Sequence, residues 1–302
     1  MRLGIDLGGT KIEIVALGDD GAVLTRERVP TPAGDYAGTI RAICDLVTGV
    51  EARLGRGGSV GIATPGALSK RADVLKNSNS TVLNGKPLKR DLEAALGRTI
   101  RMENDANCLA LSEAADGAAA GANVVFAVIL GTGVGGGLVI DRKVVAGRNA
   151  IAGEWGHNPL PWPRDDERPG RACYCGKSGC IETFLSGAGL SNEFQARAGR
   201  SLAAHDVATA AVRGEAQARA ALDAYKDRLA RGLASVINIV DPDAVVLGGG
   251  LSNIDAIYDG LLALVARYAF SDGLDTRIVR AQHGDSSGVR GAAWLWPARK
   301  TG

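Results

Sequence analysis

Leu3-Gly4-Ile5-Asp6-Leu7-Gly8-Gly9-Thr10-Lys11 is the stretch from which the rest of the chain can be read. Leu3, Ile5 and Leu7 alternate with Gly4, Asp6 and Gly8, and beyond Lys11 the run Ile12, Ile14, Val15, Leu17 is apolar again. The glycine turn therefore joins two strands, not a strand and a helix. An ordinary β-hairpin uses such a turn with no ligand at all. The residue types also suit a phosphate. Gly8 and Gly9 let backbone N–H groups approach closely, Thr10 adds a hydroxyl donor, and Asp6 stands where it could hold Mg²⁺ through water.

A second copy of the scheme favours the phosphate reading. Val124 to Leu130 is an apolar strand, Gly131-Thr132-Gly133 a glycine turn, and Gly137 to Ile140 a returning strand. Each copy is extended by a third strand after a polar turn, Asp19-Asp20-Gly21 in one and Asp141-Arg142-Lys143 in the other. Two such units imply two lobes facing one nucleotide. Gly131 to Gly136 also matches G-x-G-x-x-G, but a dinucleotide site needs a helix next, and Leu138-Val139-Ile140 reads as strand. The first turn lacks the Gly-Lys-Ser/Thr order of a P-loop.

The 302 residues, 46% hydrophobic, suffice for two domains with a substantial core. Glycine, at 42 residues, is about twice as frequent as usual. A formal charge of +2 without a basic, aromatic-studded stripe disfavours nucleic acid as a partner. With no leader and no apolar run near membrane-spanning length, the expected location is the cytoplasm, with no membrane partner. Five cysteines argue against a disulfide scaffold.

Asp35 is placed to cap a helix whose apolar positions Ile40, Ile43, Cys44, Val47, Val50 and Leu54 run to Gly55, with Cys44 in the core. Strand Val60 to Ala63 ends in Thr64-Pro65-Gly66, which either borders a ligand cleft or turns a surface loop. The run Lys76-Asn77-Ser78-Asn79-Ser80-Thr81 is a solvated loop or a set of partners for a hydroxylated ligand. Strand Thr99 to Met102 leads to Glu103-Asn104-Asp105-Ala106-Asn107 and a helix ending near Gly117. Asn104 or Asp105 would serve as its N-cap. A carboxylate there is also where a base would orient a sugar hydroxyl for phosphoryl transfer, kept ionised by the helix dipole. A hinge is expected between Ala115 and Asn123.

Cys173, Cys175 and Cys180 form C-x-C-x4-C, with His157 sixteen residues upstream. Four N/S ligands are what a closed structural zinc site needs, and this outweighs three independently buried thiols. Helices are expected over Glu182 to Ala198, Ala204 to Arg213 and Ala216 to Val240. A strand over Ala244 to Leu247 then meets Gly248-Gly249-Gly250, a bare backbone for a base or ribose, or a turn into a helix from Ile254. A last helix, Gly288 to Trp296, is expected to cross back onto the first lobe.

Taken together, Asp6 to Lys11, Asn104 to Asn107, Gly131 through Gly153, Glu154-x-x-His157, the cysteine knuckle and Gly248 to Gly250 resemble the ROK sugar kinases of the actin-like ATPase superfamily, over the whole length. The resemblance implies an α/β, ribonuclease H-like fold of two lobes with a nucleotide and sugar cleft between them. Residues 1–117 with a C-terminal helix over 285–302 would form the small lobe, and 118–284 the large one. It implies Asp105 as general base, with Asn104, Glu154, His157 and Glu182 on sugar hydroxyls. Pro65, Gly66 and Asn79 join them as candidate sugar contacts. Asp6, Gly8, Gly9, Thr10, Lys11, Thr132 and Gly133 would serve the phosphates of ATP and its Mg²⁺, and Gly249 and Gly250 the adenosine. His157 would ligate a structural Zn²⁺ through one nitrogen and face the sugar with the other. ROK repressors carry a helix-turn-helix segment ahead of this fold, which makes a kinase the expected branch. Asn79-Ser80-Thr81, Gly153 to Trp162 and His283 to Gly288 look closest to bacterial fructokinases, so D-fructose is the expected substrate. Mannose or glucose would be weaker, N-acetylglucosamine is the alternative, and a non-catalytic sugar sensor is the rival from another class. A homodimer is the expected assembly.

Overall fold

Alternation at the start of the chain does produce the hairpin. The computed structural model describes residues 1–78 and 80–297, so the candidate Asn79 lies outside the described residues. Strands β1 (Arg2–Leu7) and β2 (Lys11–Leu17) pair antiparallel with Asp6 opposite Glu13, and β3 (Val23–Pro30) completes the meander. After α1 (Tyr36–Leu54), β4 (Ser59–Thr64) runs parallel to β1. The short strands β5 (Ala67–Leu68) and β6 (Leu75–Lys76) and helix α2 (Leu88–Leu96) precede β7 (Ile100–Asn104), parallel to β4. The sheet order is β3-β2-β1-β4-β7. Asp35 caps α1 by accepting from the Gly38 N–H, and Gly55 ends it in the left-handed region at φ 65°. Cys44 is only partly buried, at the margin of the core of β1, β4 and α1 side chains.

Helix α3 (Asp105–Asp116) leads to β8 (Val124–Leu130), β9 (Val134–Ile140) and β10 (Lys143–Val144). Helices α4 (Ile181–Leu185), α5 (Gly187–Ala198), α6 (Ala204–Val212) and α7 (Ala216–Val240) follow, then β11 (Ala244–Gly248), α8 (Leu261–Ala266), β12 (Arg277–Arg280) and α9 (Ser287–Trp294). The second sheet, β10-β9-β8-β11-β12, repeats the order of the first, with β8, β11 and β12 parallel. The third strand of this copy is two residues long and starts at Lys143, because Asp141 and Arg142 alone make the turn, both at positive φ.

The chain divides into a first unit of residues 1–121, 137–152 and 282–302 and a second of 122–136 and 153–281. Residues 137–152, expected with the second lobe, group with the first because a side chain at Gly137 would strike the Ala106 carbonyl at 2.3 Å. In the first unit α9 lies on the face of β1 and β4 opposite α1, alongside α3. A Cβ on Gly61 would come within 1.8 Å of the Ala292 oxygen, and one on Gly291 within 1.7 Å of the Cys108 oxygen. Backbone rests on backbone there, and only glycine fits.

Two further expectations need correction. The helix read over Glu182 to Ala198 is broken at Ser186, whose hydroxyl leaves the α4 path to cap α5 by accepting from Gly189 N–H at 3.2 Å. After Gly250 the chain makes two short 3-10 turns, and its next α-helix begins at Leu261, not Ile254. Strand β12 went unread because its Arg277-Ile278-Val279-Arg280 pattern is that of a half-exposed edge. No described helix is long and apolar enough to cross a membrane.

Candidate functional site

The first unit carries one set of candidates. The turn after β1 is closed by Gly8 N–H donating to the Lys11 carbonyl at 3.0 Å, and Thr31 braces it through its hydroxyl to Gly8 O, 2.8 Å, and its N–H to Thr10 O, 3.0 Å. Gly9, Thr10 and Lys11 are exposed at the tip. Among the described residues no protein acceptor takes the Gly9 or Thr10 N–H, so both remain to cradle an anion. Asp6 is pushed up to about 7, by burial first and then by the charges of Asp105 and Glu13, against Lys11 and Arg28. Glu13 itself is matched by Arg26 and Arg28. Asp6 supplies the hard oxygen donor at this turn that suits Mg²⁺.

Asn104 is the N-cap of α3: its Oδ1 accepts from the Asn107 N–H at 2.7 Å. The cap thus does not depend on Asp105, which is exposed at the first helical position and accepts from the Ala106 N–H at 2.8 Å. Register places Thr64 beside Asn104, so the Pro65-Gly66 turn and Asn104-Asp105 emerge at neighbouring strand ends. Gly66 takes φ 86°, and a side chain there would strike the Lys76 carbonyl at 2.4 Å.

The second unit carries the others. Gly131 N–H donates to the Gly133 carbonyl at 3.0 Å, leaving Thr132 exposed at the tip as Thr10 is in the first turn. Glu182, at the start of α4, accepts from the Val134 N–H at 2.9 Å, and a Cβ on Gly133 would meet its Oε2 at 2.7 Å. A candidate sugar ligand and a candidate phosphate turn therefore pack together. Gly249, at φ 80°, lies against the Leu130 carbonyl, while Gly250 opens on free space. Glu154 precedes a 3-10 turn anchored by Trp155, whose Nε1 donates to Gly135 O at 2.9 Å and whose ring meets Phe126 edge-on. Trp155 is the buried pin of that turn, a role no spacing in the sequence marks.

The four knuckle ligands come together. The donor atoms of His157, Cys173, Cys175 and Cys180 all lie within 4.8 Å of one another, with His157 Nδ1 and Cys173 Sγ 3.6 Å apart and the Cys175 and Cys180 sulfurs also 3.6 Å apart. Four donors at tetrahedral Zn–N and Zn–S distances stand about 3.7 Å from one another, so this set fits Zn²⁺. The Lys177 N–H directed at the Cys175 sulfur lowers that thiol, favouring its thiolate. The other ring nitrogen, expected to face a sugar, meets the Tyr174 hydroxyl at 3.0 Å. An aromatic between two ligand cysteines was the available signal for this partner.

The proline-bearing loop ahead of the knuckle, Pro161 to Arg171, is held by buried charges. Glu167 binds Arg228 at 2.7 Å and Arg231 at 2.7 and 2.8 Å, and Arg231 also donates to the carbonyls of Pro161, 3.1 Å, and Trp162, 2.9 Å. Two arginines three apart on the otherwise apolar Tyr225, Leu229, Leu233 face of α7 were the legible sign.

A family model described as ROK family matches residues 2–299. The chain is 42% identical to a Salmonella gallinarum N-acetyl-D-glucosamine kinase over 299 residues, 98% of this chain and 99% of the relative. Among solved structures, a ROK hexokinase from Thermus thermophilus is 32% identical with a TM-score of 0.87, covering 97% of both chains. A ROK family glucokinase from Streptomyces griseus, solved with glucose and AMPPNP, is 28% identical with a TM-score of 0.76, covering 97% of this chain and 98% of its own. The actin-like ATPase fold class follows, and the chain belongs to the ROK family.

Proposed function

We propose that this chain, an ATP-dependent sugar kinase acting on a hexose, takes N-acetyl-D-glucosamine as its preferred substrate. The observation that carries the reading is the 42% identity, across nearly the whole chain, to an enzyme named for that sugar. D-Fructose, expected from short motifs, falls behind it: the relatives above are named for N-acetyl-D-glucosamine, hexose and glucose.

In this reading Asp105 accepts the proton of the attacking hydroxyl, and its placement matters more than its basicity, because a loose phosphoryl transition state is helped mainly by orientation. Asn104, Glu154 and Glu182 hold other hydroxyls, with Pro65 and Gly66 shaping the pocket wall. The N–H groups at Gly9 to Thr10 and Thr132 to Gly133 receive phosphate oxygens, Lys11 adds charge, and Gly250 leaves room for the nucleoside while Gly249 seats the turn against the Leu130 carbonyl. ATP supplies the phosphoryl group, and Asp6 would hold the Mg²⁺ that supplies the neutralising charge. The zinc knuckle holds the Glu154 to His157 turn in shape.

Coupled assays over N-acetylglucosamine, glucose, mannose and fructose test this. The expected result is a kcat/KM for N-acetylglucosamine at least about tenfold above that for glucose. Fructose as the best substrate would restore the fructokinase reading, and no turnover of any sugar would leave a sensor.

A further inference from the structure

The turn over residues 283–288 leads into α9 and contains none of the residues assigned above to sugar, phosphate or metal. It is fastened by the far end of α3, within the first unit. Glu113, 0% exposed, accepts four hydrogen bonds: at Oε1 from the His283 N–H, 3.1 Å, and the Ser287 hydroxyl, 2.9 Å, and at Oε2 from the Gln282 N–H, 2.9 Å, and the Ala118 N–H, 2.8 Å. Asp116, three residues on and so on the same face of the helix, meets His283 Nε2 at 3.0 Å and pairs with Arg290 of α9. Hydrogen bonds to a charged acceptor are the stronger kind, and a buried one cannot trade them for water. The start of α9 is therefore fixed to α3, whose other end carries Asn104 and Asp105.

What the turn presents is Gly288. The three heavy atoms nearest to a Cβ placed there all belong to the Asp6 carboxylate, with Oδ2 at 3.2 Å, Cγ at 3.5 Å and Oδ1 at 3.8 Å. The first lies inside the 3.4–4 Å of ordinary contact, so an alanine would have to push the carboxylate aside by a few tenths of an ångström. On its other flank Asp6 faces Glu13, directly opposite on β2 and on the same side of the sheet, which is itself held by Arg28 at 2.6 Å. Alanine is ordinarily the better helix residue. Glycine at this position needs a local reason, and the carboxylate supplies one.

We infer that the 283–288 turn is a positioning element of the phosphoryl-transfer site: Glu113 fixes the start of α9, and Gly288 sets where the Asp6 carboxylate comes to rest. The inference rests on the reading of Asp6 as the carboxylate that holds Mg²⁺. Helix α3 thereby aligns two groups at once, Asp105 directly at its first turn and Asp6 through Glu113 and α9.

Gly288→Ala tests this, with Mn²⁺ as the probe and its affinity for the ADP-bound enzyme read by electron paramagnetic resonance. The expected result is Mn²⁺ affinity at least about threefold weaker and kcat at least about tenfold lower, with the Kd for the best sugar substrate changed by less than about twofold and a thermal midpoint no lower than that of wild type. Ser287→Ala removes one donor from Glu113 and should weaken Mn²⁺ binding at least about twofold on the same pattern, which keeps the test open if alanine at position 288 does not fold. Wild-type Mn²⁺ affinity and kcat in both variants would show that Asp6 is held without α9. Sugar and Mn²⁺ affinity falling together with the thermal midpoint would reduce the turn to a structural fastening. Either result overturns the inference and leaves the Asp6 reading standing. If instead Asp6→Asn binds Mn²⁺ with ADP as wild type does, that reading fails and takes the inference with it.

Discussion

Glu167→Gln removes one charge from the buried network that fastens the loop before the knuckle, and its cost can be worked out in two ways. Glu167 is 6% exposed and faces Arg228 and Arg231, side chains 5% and 1% exposed. Breaking a buried ion pair from one side costs about 3–5 kcal/mol, because the remaining charge stays buried and unmatched. Arg228 keeps Glu193 at 2.7 Å and Arg231 keeps Asp227 at 3.1 Å, which points to the lower end of that range. The second route is through protonation. Burial pushes the Glu167 carboxyl up, but Arg231, Arg228 and the Arg164 N–H outweigh it and bring it from 4.5 to about 2. That depression corresponds to about 3 kcal/mol at neutral pH. Since the folded value is the lower one, the stabilisation is complete above about pH 4.5 and is lost as pH falls toward 2. Urea unfolding at pH 7 should show the glutamine variant about 3 kcal/mol less stable, and the gap should shrink when both proteins are measured at pH 3. A variant within about 1 kcal/mol of wild type at pH 7, or a gap independent of pH, would refute the argument.

Asp105→Asn should leave the thermal midpoint and sugar affinity nearly unchanged while cutting kcat at least about 100-fold, and a variant keeping most of its activity would reduce Asp105 to a structural residue. Protein purified without chelator should contain about one zinc per chain by metal analysis, and Cys175→Ser should lose it and raise the sugar KM more than the ATP KM. Freely alkylated cysteines in metal-free native protein would sink the site. Gly291→Val should destabilise the first unit by at least about 3 kcal/mol in thermal or urea unfolding, because backbone cannot move aside as a side chain can. Unchanged stability would mean that α9 does not sit on the Cys108 backbone.

Elements with punctuated ends were legible from the residues alone. The β1-β2 hairpin, α1 between Asp35 and Gly55 and α7 over Ala216–Val240 follow from periodicity bounded by cap and turn residues. The Cys/His cluster was legible for a related reason: few structures need three thiols so close together in sequence. Interruptions and inward-facing charges were harder to see. Ser186 could cap one helix or continue another, and only packing decides. Glu167, Arg228 and Arg231 carry charges that usually face water, so their burial is visible only once distant segments are folded together. The partner of His157 Nε2 depends on side-chain orientation, which no spacing rule supplies.

The seating of α9 against Gly61 bears on the order in which the chain can mature as it leaves the ribosome. All five strands of the first sheet are made by residue 104, yet the helix covering their second face ends at Trp294. Residues 153–281, the bulk of the second unit, emerge in between. The part synthesised first is thus the part completed last, the reverse of the usual N-terminal-first sequence. During that interval the α9-facing side of β1 and β4 is open, a surface on which a holding chaperone would act, and a stalled or truncated chain would present it permanently.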